Sequence, residues 1–351
     1  MFDTHCHLNF KAFKNSYDQV IKDAFKAGVK NIVIPGTDVE TSKKAVEIAE
    51  KYDGVYVAVG IHPHHIYENQ KSNIKDQKLK SKIKNINVGA KRDLPNLNVA
   101  VGFPDPLLEL GKLITYPKVV AIGEVGLDKH EYQNTKYEKY VVDNQFINAQ
   151  KALLTEQIKL AITYKKSLIL HNREAKKEIL EALIKPAVAK ALAGKAVFHC
   201  CEPDFELLNF AIKYHIYIGV DGDVTFNQEK QEFIKKVPLD LLVLETDSPY
   251  LLPRPPRKPA CWRCGRSELL RSKKAYPNKP ENIKIIAKFI AQLCGQPVDL
   301  IKEKTTENAK KLFFCNLIYG FGATKTGEKQ LQQKQGPLNM NAFVNQLQLP
   351  K

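Results

Sequence analysis

The 351-residue chain contains no run of eighteen or more uncharged apolar residues, so no membrane-spanning helix is expected. Its start, Met1-Phe2-Asp3, shows no basic stretch leading into an apolar one. No secretory signal is therefore expected, and a cytoplasmic location is the default. A dense, even set of cysteines is also missing. The seven present (Cys6, Cys200, Cys201, Cys261, Cys264, Cys294 and Cys315) are odd in number and scattered, which argues for reduced thiols over a disulfide framework. Only Cys261-x-x-Cys264 has metal-like spacing, and two thiolates do not complete a structural zinc site, so a surface loop is expected there. No internal repeat is found beyond an alternation of strands and helices.

Acidic residues are the other shortage: 38 Asp and Glu face 54 Lys and Arg, a net charge of +16. Residues 71–92 carry eight basic residues against Asp76 alone, and residues 254–279 carry nine against Glu268 alone. These two windows hold nearly all of the excess. A lysine-rich solvated face would explain either one singly. Two windows on one side of a fold would attract a phosphodiester backbone.

The apolar pattern begins with Met1 to His7, a short strand that runs into two histidines. An amphipathic segment, Ser16 to Ala27, repeats Val20, Ile21, Ala24 and Phe25 at helical spacing. Asn31 to Gly36 reads as a second strand and Val39 to Tyr52 as a second helix. Further strands follow at Val55–Val59, Val119–Ile122, Ser167–Leu170, Ala196–Phe198, Ile216–Val220 and Leu241–Leu244. Near-continuous apolar strands alternating with helices indicate a parallel sheet covered on both faces. Eight of them predict a closed (β/α)8 TIM barrel of α/β class, spanning residues 1–319, with its active site at the C-terminal strand ends.

Long excursions after strands three and eight, about 66–118 and 254–279, should rise from that same rim. Thr305 to Ala309 is expected to open a last helix. Residues 320–351, rich in Gly, Gln, Lys and Asn, are expected to be a flexible tail.

His5, His7, His62, Glu124, His171, His199 and Asp247 each fall at an expected strand end, so a closed barrel would gather them at one mouth. Mixed histidine and carboxylate ligands suit Zn, Mn, Fe or Ni, whereas an all-oxygen shell would suit Mg or Ca better. Four histidines and two carboxylates exceed the needs of one tetrahedral ion. A carboxylate bridging two ions would use the surplus, and such a pair can hold a phosphoryl oxygen while acidifying a bound water. Glu124, at the middle strand, is the best candidate for the bridge. Asp247 could bind one ion and also accept the proton of the attacking water. Asp3 and Cys6 are expected to point away from the metal.

Seven segments carry a resemblance. Asp3-Thr4-His5-Cys6-His7, Gly60-Ile61-His62-Pro63-His64 and Ala121 to Asp128 are followed by His171-Asn172-Arg173-Glu174-Ala175, Phe198-His199-Cys200, Glu245 to Leu251 and Thr305 to Ala309. In this order they resemble the motifs of the TatD family of metal-dependent deoxyribonucleases, within the amidohydrolase superfamily, over residues 1 to about 314. The resemblance implies a TIM barrel, two divalent ions (Mg, Mn or Zn) and hydrolysis of phosphodiester bonds in DNA, single-stranded or from the 3′ end, extending to RNA. It also implies that His5, His7, Glu124 and Asp247 hold one ion and that Glu124, His171 and His199 hold the other. By the same resemblance His62, Asp128 and Arg173 lie near the substrate, with Arg173 a phosphate clamp whose fork can bond two oxygens.

Many related amidohydrolases bridge their metals with a lysine on strand four, and Glu124 in that place favours the TatD-like reading. The chain departs from the motifs at Cys200-Cys201-Glu202-Pro203-Asp204, where His-Cys-Phe-Ser-Gly is usual, and in the inserted stretch from Cys261 to Lys274. Two other functions remain open. One is deacylation of D-aminoacyl-tRNA, or of another ester, at the same bimetal site. The other is nucleic-acid binding without catalysis, which the intact ligand set opposes.

Overall fold

Eight apolar segments pair side by side in sequence order: β1 (Phe2–Asp3), β2 (Asn31–Pro35), β3 (Val55–Val59), β4 (Val119–Asp128), β5 (Ser167–Arg173), β6 (Ala196–Phe198), β7 (Tyr217–Val220) and β8 (Leu242–Leu244). The computed structural model describes residues 1–66, 104–133, 141–254 and 276–318. Every ladder from β1 to β8 is parallel. Nearly all strand residues are buried, as strands packed on both faces must be. The ring closes between β8 and β1 through backbone bonds just beyond the strands. Thr4 N–H donates to Leu244 O (3.1 Å), Asp247 N–H to His5 O (2.9 Å) and His7 N–H to Ser248 O (2.7 Å). The expected TIM barrel is the observed fold, and its seam runs through three of the expected ligands.

Helices return the chain after most strands: α1 (Tyr17–Lys26), α2 (Val39–Ala49), α3 (Pro104–Leu113), α4 (Asn144–Thr163), α5 (Lys176–Leu183), α6 (Pro186–Leu192), α7 (Phe205–Tyr214), α8 (Gln228–Ile234), α9 (Ile283–Cys294) and α10 (Val298–Ile318). Their starts are written locally. Asp38 accepts from Thr41 N–H (2.7 Å) while the Thr41 hydroxyl reaches back to the Asp38 amide, a capping box at α2. Asp143 caps α4 and Asp204 caps α7 in the same way, each carboxylate taking one or two of the amides that the first turn leaves free. One stripe of each helix lies against the barrel, such as Val20, Ile21 and Ala24 in α1 and Ile283, Ile286, Ala287 and Ile290 in α9.

The structure departs from the sequence reading at several places, β5 among them, which runs past Leu170 to Arg173. The first strand is only two residues long, because the chain leaves its ladder after Asp3; Cys6 rejoins through a single parallel bridge to Ser248. Strand four continues past Ile122 to Asp128, with a register shift between Ile122 and Val125 that brackets Glu124. The excursion after β3 ends in α3, where Leu107 and Leu110 are buried at helical spacing, so the third crossover keeps a helix. Thr305 to Ala309 does not open a helix. It lies inside α10, which starts at Val298 soon after α9 ends on the left-handed Gly295 (φ 63°). The Thr305 hydroxyl donates to Ile301 O (2.7 Å) instead of capping.

Met1–Phe313 forms one compact unit, and of the second, Phe314–Lys351, only the last residues of α10 are described. The first basic window, residues 255–275 of the second, Cys261, Cys264 and the expected tail lie outside the described residues. Among the described residues no helix is long and apolar enough to cross a membrane.

Candidate active site

The barrel mouth collects histidines and carboxylates from five strand ends. His5 and His7 follow β1, Glu124 sits within β4, His171 lies in β5, His199 follows β6 and Asp247 follows β8. All but His171 are buried. Nε2 of His5 and Nε2 of His7 stand 3.1 Å apart. The carboxylate of Glu124 divides its two oxygens between two groups. Oε2 lies 3.4 Å from His5 Nε2 and 3.5 Å from His7 Nε2. Oε1 lies 2.9 Å from His171 Nδ1, 2.9 Å from His199 Nε2 and 3.3 Å from His62 Nε2. Asp247 joins the first group, its Oδ1 3.7 Å from His5 Nε2 and 3.4 Å from His7 Nε2.

These separations fit ions better than they fit hydrogen bonds alone. For ion–ligand bonds of about 2.1 Å, neighbouring ligands are about 3.0 Å apart in an octahedron and about 3.4 Å apart in a tetrahedron. The electrostatics agree. Burial opposes ionisation of Glu124, yet His199, His62 and His171 outweigh it and hold its carboxyl well below the ordinary range. Burial likewise opposes charge on His171, but Asp128 and Glu124 raise it to about 10, and Glu124 raises His199 in the same sense. Burial first, then the charge of His199, lowers His5 to about 4, and burial lowers His62 to about 3. The centre therefore calls for positive charge while presenting neutral imidazoles beside it. A divalent cation can replace the protons that His171 and His199 otherwise carry. His5, His7, Glu124, Asp247, His171 and His199 are thus a set that could hold metal. Glu124 stands between the two groups.

The three expected substrate residues have different surroundings. His62 is inside the cluster, its Nε2 facing the same Glu124 oxygen as His171 and His199. Asp128 stands behind His171. Its Oδ2 takes His171 Nε2 (3.0 Å), His64 Nε2 (3.0 Å) and the Tyr132 hydroxyl (2.8 Å), and its Oδ1 accepts His130 N–H (2.9 Å). Burial opposes its ionisation, and His171 and His64 outweigh it and hold the carboxyl far below its usual range. Arg173 is at the rim. Its guanidinium lies over the Tyr132 ring, 5.1 Å from the centroid, with Nη1 3.2 Å from the Tyr132 hydroxyl. Asp3 is taken up by Thr246, accepting from its amide (3.0 Å) and hydroxyl (2.7 Å), and Cys6 is buried.

His64, Tyr132 and Glu245 belong to the site, although the sequence reading gave them no role. His64 could have been found, because it repeats the i, i+2 spacing of His5 and His7 next to His62. Tyr132 has no local signal. Gly126 supports the arrangement: a Cβ there would fall 1.8 Å from His171 O, and its φ is +156°. Only glycine lets β4 pass this close to the ligand strand.

The comparisons with known proteins agree with this geometry. A family model described as TatD related DNase matches residues 2–314. YabD of Bacillus subtilis, an uncharacterized metal-dependent hydrolase, is 30% identical over 318 residues, covering 90% of this chain and 100% of that protein. The 3′-5′ ssDNA/RNA exonuclease TatD of Escherichia coli (strain K12) is 27% identical over 316 residues, covering 89% of this chain and 98% of that one. The crystal structure of YjjV, a TatD homolog from Escherichia coli K12, superposes with a TM-score of 0.64 at 25% identity, over 89% of this chain and 97% of its own. A match along the whole barrel, on a mouth built from these histidines and carboxylates, makes this chain a member of the TatD family of metal-dependent hydrolases.

Proposed function

We propose that the protein is a nuclease that holds two divalent ions at the barrel mouth and cleaves phosphodiester bonds in DNA, removing nucleotides from a 3′ end and extending to RNA. The observation that carries this reading is the division of the Glu124 carboxylate, with Oε2 toward His5 and His7 and Oε1 toward His171 and His199. In this reading His5, His7, Glu124 and Asp247 hold one ion, and Glu124, His171 and His199 the other. When bound, the ions supply Lewis-acid polarisation of a phosphoryl oxygen and make water a stronger acid. Mn and Zn fit the mixed imidazole and carboxylate donors better than Mg, which prefers an all-oxygen shell.

The chain's own groups then divide the remaining work. Asp247, beside His5 and His7, accepts the proton of the attacking water. Asp128 fixes the ring of His171 from behind, as second-layer carboxylates do for histidine ligands. His62, kept neutral by burial, offers a hydrogen bond to the phosphate. Arg173, held on the Tyr132 ring at the rim, clamps a phosphate with its fork. The two basic windows supply the longer-range attraction for a polyanion. The exonuclease name borne by the Escherichia coli relative supports the same substrate class.

The test is digestion of a 5′-labelled single-stranded DNA with and without added Mg, Mn or Zn. A ladder that shortens from the 3′ end only with metal, and is lost in Glu124→Ala, is the expected result. Absence of cleavage under every metal, with release of amino acid from D-aminoacyl-tRNA, would replace this reading by the deacylase one.

A further inference from the structure

Five aromatic rings are well exposed among the described residues: Tyr116, Phe205, Phe226, Tyr250 and Tyr276. Tyr116 precedes β4, at the opposite end of the barrel from the mouth, and one exposed ring needs no explanation. The other four come from segments that follow β6, β7 and β8, so they share one arc of the C-terminal rim.

Two of these rings are held in place by their surroundings. Phe10, in the segment after β1, stacks on the ring of His7 at 4.2 Å between centroids and 19° between planes. Tyr250 stands edge-on to Phe10, at 6.4 Å and 71°, and is 48% exposed. The pair makes an aromatic corner beside a metal-facing histidine. The Tyr250 backbone is tied down: its amide donates to Asp247 O (2.9 Å), and its carbonyl accepts from the side chain of the buried Asn278 (2.7 Å).

Phe226 follows β7, and the guanidinium of Arg254 lies over its ring, 4.0 Å from the centroid. Arg254 N–H donates to Thr225 Oγ1 (2.7 Å), which joins the chain after β8 to the chain after β7. The two segments touch backbone to backbone, since a Cβ on Gly222 would fall 2.0 Å from Leu251 O. Arg254 is exposed and opens the basic window of residues 254–279. Exposed rings set among cations suit an unpaired strand, because each ring can take the face of a base while the cations take phosphates. In a duplex those base faces are covered by their neighbours.

We propose that Tyr250 with Phe10, and Phe226 with Arg254, are base-stacking seats that guide a single strand of nucleic acid along the β7–β8 arc to the barrel mouth. The proposal rests on the nuclease reading for what happens at the mouth. Its own signature is affinity that depends on the bases and not only on the phosphates.

The experiment measures binding of a short single strand of DNA, labelled with fluorescein at its 5′ end and joined by phosphorothioate linkages that resist hydrolysis, to full-length protein loaded with Mn. A second probe has the same length and linkages but abasic sugars in place of every nucleoside. Fluorescence anisotropy gives Kd for both probes with wild type, Tyr250→Ala, Tyr250→Phe and Phe226→Ala, and the melting temperature of each is recorded. The two rings lie on separate segments, so a folding defect in one alanine variant leaves the other to decide. Cleavage of an ordinary strand by wild type is assayed in parallel. Absence of cleavage together with base-dependent binding overturns the nuclease reading and leaves the seats as a binding surface.

Stacking on a ring is worth about 5–150-fold in affinity per base. Wild type should bind the base-bearing probe tighter than the abasic one by at least the lower figure. Tyr250→Ala and Phe226→Ala should each weaken the base-bearing probe within that range and leave the abasic probe unchanged, whereas Tyr250→Phe, which keeps the ring face, should bind as wild type does. Equal binding of both probes by wild type would overturn the proposal. So would alanine variants that weaken both probes equally, or neither, since the rings would then serve the phosphates or the fold rather than the bases.

Discussion

Replacing Lys230 by methionine should cost the barrel about as much stability as any single change outside its core. Lys230 extends from α8 under the C-terminal end of β7 and is 2% exposed. Its ammonium lies 2.7 Å from Asp221 Oδ2 with hydrogen-bond geometry, and 2.7 Å from Asp223 Oδ1 as a charge contact. Asp221 is fully buried and Asp223 partly so. Burial opposes ionisation of Asp221, and the Lys230 charge outweighs it and holds the carboxyl below its usual range; burial and the charge of Asp221 push Asp223 the other way. Methionine fills the volume of the lysine stem but leaves two carboxylates facing each other without a cation. Removing one partner of a buried ion pair costs about 3–5 kcal/mol. With an unfolding entropy of about 2.1 cal/mol/K per residue over Met1–Phe313, that is a fall in Tm of about 5–8 °C.

The loss should also depend on pH, and the sign is fixed. Without the ammonium, both carboxyls have folded pKa values above their unfolded ones, so they favour the folded state in acid and oppose it as pH rises through those values. The gap between wild type and Lys230→Met should therefore be small near pH 5 and large near pH 8. Urea denaturation of metal-free protein at the two pH values measures it. A cost under about 1 kcal/mol at pH 8, or an equal cost at both, would refute the reasoning.

Arg173→Lys loses the planar fork and the stack on Tyr132, and should raise KM for a single-stranded oligonucleotide about tenfold with little change in kcat. A fall in kcat alone would move Arg173 from binding to chemistry. Tyr132→Phe removes the hydroxyl shared by Asp128 and Arg173 and should raise KM in the same direction by a smaller factor, read in the same steady-state assay. Asp247→Asn should abolish hydrolysis without lowering the melting temperature of the metal-free protein; residual activity near the wild-type level would exclude Asp247 as proton acceptor. Substrate affinity measured against salt should fall with a log–log slope of about −2 to −3, as expected for three or four neutralised phosphates on a single strand. A flat dependence would return the basic windows to the role of a solvated face.

The barrel was legible because burial on both faces leaves the strands almost purely apolar, and their polar ends stand out against that background. Val55–Val59 and Ala196–Phe198 were bounded to the residue for this reason. β4 was cut short because Gly123-Glu124 interrupts the apolar run, although the backbone keeps pairing to Asp128 beyond its register shift. That polar interruption inside a strand is what aims Glu124 at the mouth. Glu124, His171 and His199 could be placed together from the order of strands alone, since parallel strands bring all their C-terminal ends to one face.

What could not be read was the layer behind the ligands. Asp128 matches a position near the substrate by its motif, and its three side-chain partners come from β5, from the segment after β3 and from the chain after β4, a meeting that no local spacing encodes. Glu245 and Gly219 pair across two strands by a shape relation that neither residue announces in sequence.

Glu124 is the carboxylate proposed to be shared by two ions. Metal-free wild type and Glu124→Ala, each titrated with Zn and then passed through a desalting column for elemental analysis, decide it. Two tightly held equivalents in wild type, and fewer than one in the variant, are predicted, because each ion loses a ligand at once. Two equivalents retained by Glu124→Ala would contradict the shared bridge and with it the two-ion mechanism.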